Sequence, residues 1–175
     1  MAYPIISWWN RTNTQQVSMW DVGQGGTVKA GEESPQFGVL IWNNRGGTSD
    51  VSDIVLAEVT TRDMDSNAVT PPVVGEWVRV KNDSISEVVA TAVGANTSKS
   101  VKTIGTTVNA NGSFTPNTAP HVSAAGDVSA LGVMNDGTVA GSAGNFIELT
   151  LSALPDSTAP AGTFDFVVRF SYTFT

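Results

Sequence analysis

A chain of 175 residues with no cysteine, 14% charged side chains and a net charge of −7 cannot carry disulfides, thiolate zinc sites, thiol nucleophiles or iron–sulfur clusters. Its single histidine, His121, cannot supply a two-histidine metal site within one chain. A pI near 4.4 opposes a phosphate-binding surface, which needs clustered Lys and Arg, so nucleic acid is not an expected partner.

The length fits one domain, 1–175, large enough to bury a core without a metal or a disulfide. Val and Thr, stiff at χ1 and suited to a pleated surface, are abundant, and Gly, Asn, Asp and Pro recur between short apolar runs. Helix signals are nearly absent. In chain order, strands are predicted at Tyr3–Trp9, Gln15–Asp21, Gln36–Asn43, Val51–Arg62, Glu76–Lys81, Ser86–Ala92, Val101–Asn109, Asn145–Ser152 and Thr163–Phe174.

Adjacent Trp8 and Trp9 must point to opposite faces of an extended strand, so one of them turns away from its own core. In Gln36–Asn43, Phe37, Val39 and Ile41 share one face while Leu40 and Trp42 share the other, the pattern of a central strand in a layered sheet. The stretch 94–144 differs. It is rich in Gly, Ala, Ser, Thr and Asn, with Phe114 its only aromatic and turn signals at Asn111–Gly112 and Asp136–Gly137. It is predicted to be an inserted hairpin arm or long loop, poorly suited to a core. In Asn145–Ser152, Ile147, Leu149 and Leu151 alternate with Glu148, Thr150 and Ser152. In the last strand Phe164, Phe166, Val168, Phe170, Tyr172 and Phe174 alternate to the end. Alternation with one wet face means antiparallel pairing, hence an all-β sandwich or barrel.

An outer-membrane barrel would need many such lipid-facing strands and a secretion signal. The start has no basic region or apolar run of signal-peptide length, and no run approaches the roughly 18 apolar residues of a membrane helix. No membrane partner is expected.

Phe37–Thr48, reading FGVLIWNNRGGT, followed by Val51–Asp63, reading VSDIVLAEVTTRD, resembles a strand–turn–strand unit of immunoglobulin-like domains. Leu149–Phe170, with Pro155, Pro160 and Ala-Gly-Thr-Phe before the last strand, is similar to their closing pair. The resemblance implies an antiparallel immunoglobulin-like or jelly-roll-like β-sandwich with the 94–144 stretch as its long arm. Cysteine-free domains of this kind serve as head-decoration, neck, tail and baseplate parts of tailed-bacteriophage virions. The resemblance therefore implies a virion protein made in the bacterial host cytoplasm, with other capsid or tail proteins and further copies of itself as partners.

Catalytic arrangements fare poorly. A Ser–His–Asp triad would have to use His121, in a region without Gly-x-Ser-x-Gly, and an exposed loop histidine is the plainer account. The carboxylates Glu32, Glu33, Asp50, Asp53, Glu58, Asp63, Asp65, Glu76 and Glu148 read as solvated turn and strand faces rather than a glycosidase pair. Asp63, Asp65 and Asn67 have the one-three-five spacing of a calcium loop. Ala68 replaces its sharp-turn glycine and Val74 its closing glutamate, so capping of a turn accounts for them better. Gly23–Gly26 and Gly46–Gly47 lack the Lys and helix of a phosphate loop and read as hairpin turns. No cofactor is expected. The predicted function is a non-enzymatic structural and interaction protein docking through strand edges and apolar patches. Its contact residues are Tyr3, Ile5, Trp8, Trp9 and Trp20, with the 94–144 arm as a second surface. The competing reading is a carbohydrate-binding or host-adhesion module that stacks exposed aromatics on a host-surface glycan.

Overall fold

The computed structural model describes residues 2–65, 69–95 and 128–175. Within them lie β1 (Ile6–Asn10), β2 (Phe37–Asn43), β3 (Ile54–Asp63), β4 (Val78–Asn82), β5 (Thr91–Val93), β6 (Val128–Ala130), β7 (Phe146–Ala153) and β8 (Phe166–Phe174). They form a five-stranded sheet in the order β1-β2-β7-β4-β5 and a three-stranded sheet in the order β6-β3-β8. All these pairings are antiparallel. The chain is an all-β sandwich.

The two-residue period of each strand decides which side chains fill the space between the sheets. Val39 and Ile41 of β2, Ile147, Leu149 and Leu151 of β7, and Val78 and Val80 of β4 meet Ile54, Ala57 and Val59 of β3 there. Phe166, Val168, Phe170 and Tyr172 of β8 join them half-buried. β2 does lie between two neighbours, and its second apolar face is covered too: Leu40, Trp42 and Phe146 form a smaller core on the outer side of the five-stranded sheet. β3 carries one extra residue between Val55 and Glu58, where Leu56 takes a φ of 49°. This is a bulge that turns Leu56 outward.

Several predicted elements differ. Of Gln15–Asp21, only Gln16 bridges to Trp9, because the Asn10 side chain closes a turn on the Thr14 and Gln15 amides and pairing stops after Val17. Ser86–Ala92 is strand only from Thr91. The Asn82 side chain instead accepts the Ser84 amide and starts a 3-10 turn at Asp83–Ile85, so local capping overrides the β preference of the valines. Pro71–Val74 forms a single helical turn begun by two prolines, which fit where no N–H partner is needed. Gly23–Gly26 and Gly46–Gly47 are turns within longer connections rather than hairpins. The Asp21 carboxylate accepts the Gly23 and Gly25 amides, and Gly46 takes a φ of 66° between strands of different sheets.

Of the 94–144 stretch, residues 128–144 are built into the body. β6 pairs with β3, Ala130 and Leu131 are buried, and the Leu131 amide donates to the Gly144 carbonyl. Buried Asn135 and Asn145 donate to the carbonyls of Asn44 and Val133, and of Leu131 and Val133 respectively, doing for this irregular backbone what a ladder does for a strand. Gly137 has a φ of 72°, as a turn at Asp136–Gly137 requires. Val101–Asn109, Asn111–Gly112, Phe114 and His121 lie outside the described residues.

Candidate functional site

β1 and β8 are edge strands of opposite sheets, and the sandwich is lined between them by aromatic rings. The Trp8 ring meets Phe170 edge-on at 6.4 Å, and Phe170 leans on Tyr172 at 5.7 Å. Trp20 stacks on Phe37 at 6.0 Å and meets Phe166 edge-on at 6.2 Å. Tyr3 closes the row against Phe174 at 5.5 Å. Period-two alternation along β8 places its aromatics on this one face.

The five predicted contact residues separate within this frame. Tyr3 and Ile5 are 76% and 58% exposed, yet their backbone is fixed. The Ile5 amide donates to the Asn43 side-chain oxygen, the Ile5 carbonyl accepts from Asn44, and the Ala2 carbonyl accepts from Ser52. The segment therefore ties both sheets together, helped by Asn43, whose side-chain amide also donates to the Ser52 carbonyl. Trp8 and Trp20 are half-buried and fill the seam. Trp9 faces the other way, as the alternation requires, and lies under Arg45, whose guanidinium sits 3.6 Å above its ring. Arg45 is positioned by Asn44, which turns the chain at a φ of 61°. Tyr3, Trp8 and Trp20 thus gather along the seam or its rim, Trp9 belongs to the outer face, and Ile5 is exposed.

Edge accessibility also differs. The Val17 amide donates to the Trp8 carbonyl and the Asn10 amide to the Gln15 carbonyl, so the end of β1 is already paired. Among the described residues β8 pairs with β3 alone.

Phe174 is not among the predicted contact residues, yet it is 48% exposed and forms the rim with Tyr3. Its signal was the strict alternation of the last strand. A polar network on the outer face is likewise absent from the predicted contacts. There Arg11 ion-pairs with Asp83 and with Glu148 at 2.9 Å, and donates to the Thr150 hydroxyl at 2.6 Å. A Cβ at Gly38 would lie 2.5 Å from the Arg11 side chain, so glycine lets this arginine lie flat across the sheet.

The carboxylates act as local acceptors. Asp50 accepts the Met134 amide, Asp53 the Gly132 amide, Glu33 the Ser152 hydroxyl, and Glu148 the Arg11 guanidinium. No group of three metal-ligating side chains occurs among the described residues. Buried Asp63 accepts the Thr70 hydroxyl and the Val69 and Thr70 amides, which is a turn-capping role; Asn67 lies outside the described residues. The Thr70 hydroxyl and then the Val69 amide hold the Asp63 carboxyl below its usual range near 3.8, against an opposing contribution from burial. Asp136 is lowered in the same way, by the Thr138 hydroxyl and amide foremost.

Both carboxylates are depressed in the folded state, so the stability they contribute is present above the unfolded pKa near 3.8 and is lost as pH falls through the folded values. Urea midpoints are expected to fall steadily below about pH 4. In Asp63→Asn the fall should be shallower from a lower starting point, and equal slopes in both proteins would refute the assignment.

The chain matches no protein-family model, no curated protein and no solved structure.

Proposed function

We propose that this chain is a non-enzymatic structural and interaction protein, a capsid-decoration or tail and neck accessory component of a tailed-phage virion. We further read its sandwich as immunoglobulin-like or jelly-roll-like. The observation that carries the interaction reading is the seam between β1 and β8. A pre-formed apolar rim of Tyr3 and Phe174, with its backbone already tied down, offers contact area at small ordering cost. Beside it runs an edge strand to which another chain's strand can be added. The virion assignment rests on the resemblance of Phe37–Asp63 and Leu149–Phe170 and on the absence of cysteine, which fits assembly in a reducing cytoplasm. The carboxylates engaged as hydrogen-bond acceptors support a role other than catalysis. Many copies on a shell or tail would supply avidity without strong single contacts.

The glycan-binding alternative needs an exposed flat ring. Trp8 and Trp20 are packed edge-on or stacked and Trp9 is covered by Arg45, which leaves Tyr3 and Phe174 for that purpose. Mass spectrometry of purified particles tests the leading reading. The protein should be present at a constant ratio to the major capsid or tail protein, and its absence from intact particles would overturn the assignment.

A further inference from the structure

We propose that the edge of β8 that no described strand covers is a self-pairing site that joins two copies of the chain about a two-fold axis. This deepens the interaction reading above by naming one partner, a second copy. β8 is nine residues long, contains neither Pro nor Gly, and has β3 as its sole strand neighbour among the described residues. Edge strands of that length are normally blunted by a proline, a bulge or an inward charge, because their unpaired N–H and C=O groups template another strand. Here the bulge lies in β3, and β8 itself runs without interruption.

The Thr175 amide donates to the Asp53 carbonyl, on the β3 side. Successive amides along a strand point to opposite edges. Odd-numbered residues therefore turn theirs to β3, while Phe166, Val168, Phe170 and Tyr172 turn theirs outward. Two copies pairing antiparallel must match even with even and odd with odd.

Charge then selects the register. Asp165, just before β8, and Arg169 lie exposed on its wet face, on either side of Val167, which is 40% exposed. Neither makes an ion pair among the described residues. A two-fold centred on Val167 places Asp165 opposite the partner's Arg169 and Arg169 opposite the partner's Asp165. Phe166 and the partner's Val168 then exchange backbone hydrogen bonds. Both charge pairs fall at non-hydrogen-bonded positions, where opposed side chains lie closer and attract most. A two-fold centred on Arg169 would instead face two guanidinium groups, which is unfavourable. Of the two-fold registers, only the one centred on Val167 opposes Asp165 and Arg169. Within β8 it pairs only Phe166, Val167 and Val168 of each copy, flanked by the Asp165–Arg169 pairs, and leaves Tyr3 and Phe174 beyond the paired stretch, free for the rim contact.

Sedimentation of the full chain across a concentration series tests this, with far-UV circular dichroism confirming that each variant is folded. The unmodified chain should show a reversible monomer–dimer equilibrium that weakens with salt. Arg169→Asp should weaken it at least about tenfold, because two attractions become two repulsions. Asp165→Arg combined with Arg169→Asp should return the affinity to within about threefold of the original. A chain monomeric at every concentration, a dimer indifferent to Arg169→Asp, or a double variant as weak as the single one would each overturn the pairing. A monomeric chain still present in particles would overturn the pairing and leave the virion role standing. A charge-dependent dimer absent from particles would do the reverse.

Discussion

Trp42→Ala is expected to cost about 3–5 kcal/mol of folding stability, the range for a large aromatic removed from a packed interior. Trp42 is 0% exposed although it lies on the face of β2 that points away from the space between the sheets. Its ring leans on Phe146 at 4.7 Å, opposite it in the β2–β7 register, and packs with Leu40. Its indole N–H is buried without a partner among the described residues, so truncation recovers a little of the loss but forfeits most of the contacts. Urea denaturation is the measurement. A loss below about 1 kcal/mol, typical of a surface position, would mean that the outer face of the five-stranded sheet is not a second core.

Gly132→Ala should destabilise by about 3 kcal/mol, at the upper end for overpacking. A Cβ there would lie 2.2 Å from the Val51 carbonyl oxygen and 2.6 Å from that of Ser52. These are backbone atoms with nowhere to move. The Gly132 amide donates to Asp53 and its carbonyl accepts from Val51 and from the Asn44 side chain, so the glycine cannot withdraw either. The variant separates a segment seated on the strand leading into β3 from a loose arm, in which the extra methyl would be harmless. Unchanged stability would show that residues near 132 are not seated there.

That segment shows where the sequence stops being informative. β2, β7 and β8 could be read directly, because Val39, Ile41, Ile147, Leu149, Leu151 and the aromatics of β8 repeat every second residue and burial rewards that period. β6, Val128–Ala130, has too few residues and too little bulk to show a period; its pairing is imposed by β3. Asn43 and Asn145 read locally as strand ends and Asn44 and Asn135 as neighbours of turns, yet all four are buried, holding irregular backbone and joining the sheets. Their role depends on partners up to 91 residues away, as for Asn44 and Asn135, which no local pattern encodes.

The candidate site was partly legible for the same reason. Alternation alone requires Trp8 and Trp9 to face apart, and the strict pattern of Phe166–Phe174 predicts an aromatic face. What covers each ring is a tertiary matter. Arg45 reaches Trp9 only because the chain reverses at Asn44, and Gln15–Val17 caps the end of β1 only because the Asn10 turn brings it back. Of β1 and β8, the edge left without a second neighbour among the described residues is that of β8, with Tyr3 and Phe174 at its end.

Hydroxyl-radical footprinting of Tyr3 and Phe174, in the isolated protein and in intact particles, tests most directly the claim that this rim is the docking surface. Both rings should oxidise readily in the isolated chain and be protected at least about fivefold in the particle, as expected for residues moved from a solvated rim into an interface core. Equal oxidation in the two states, with the chain present in the particle, would contradict it.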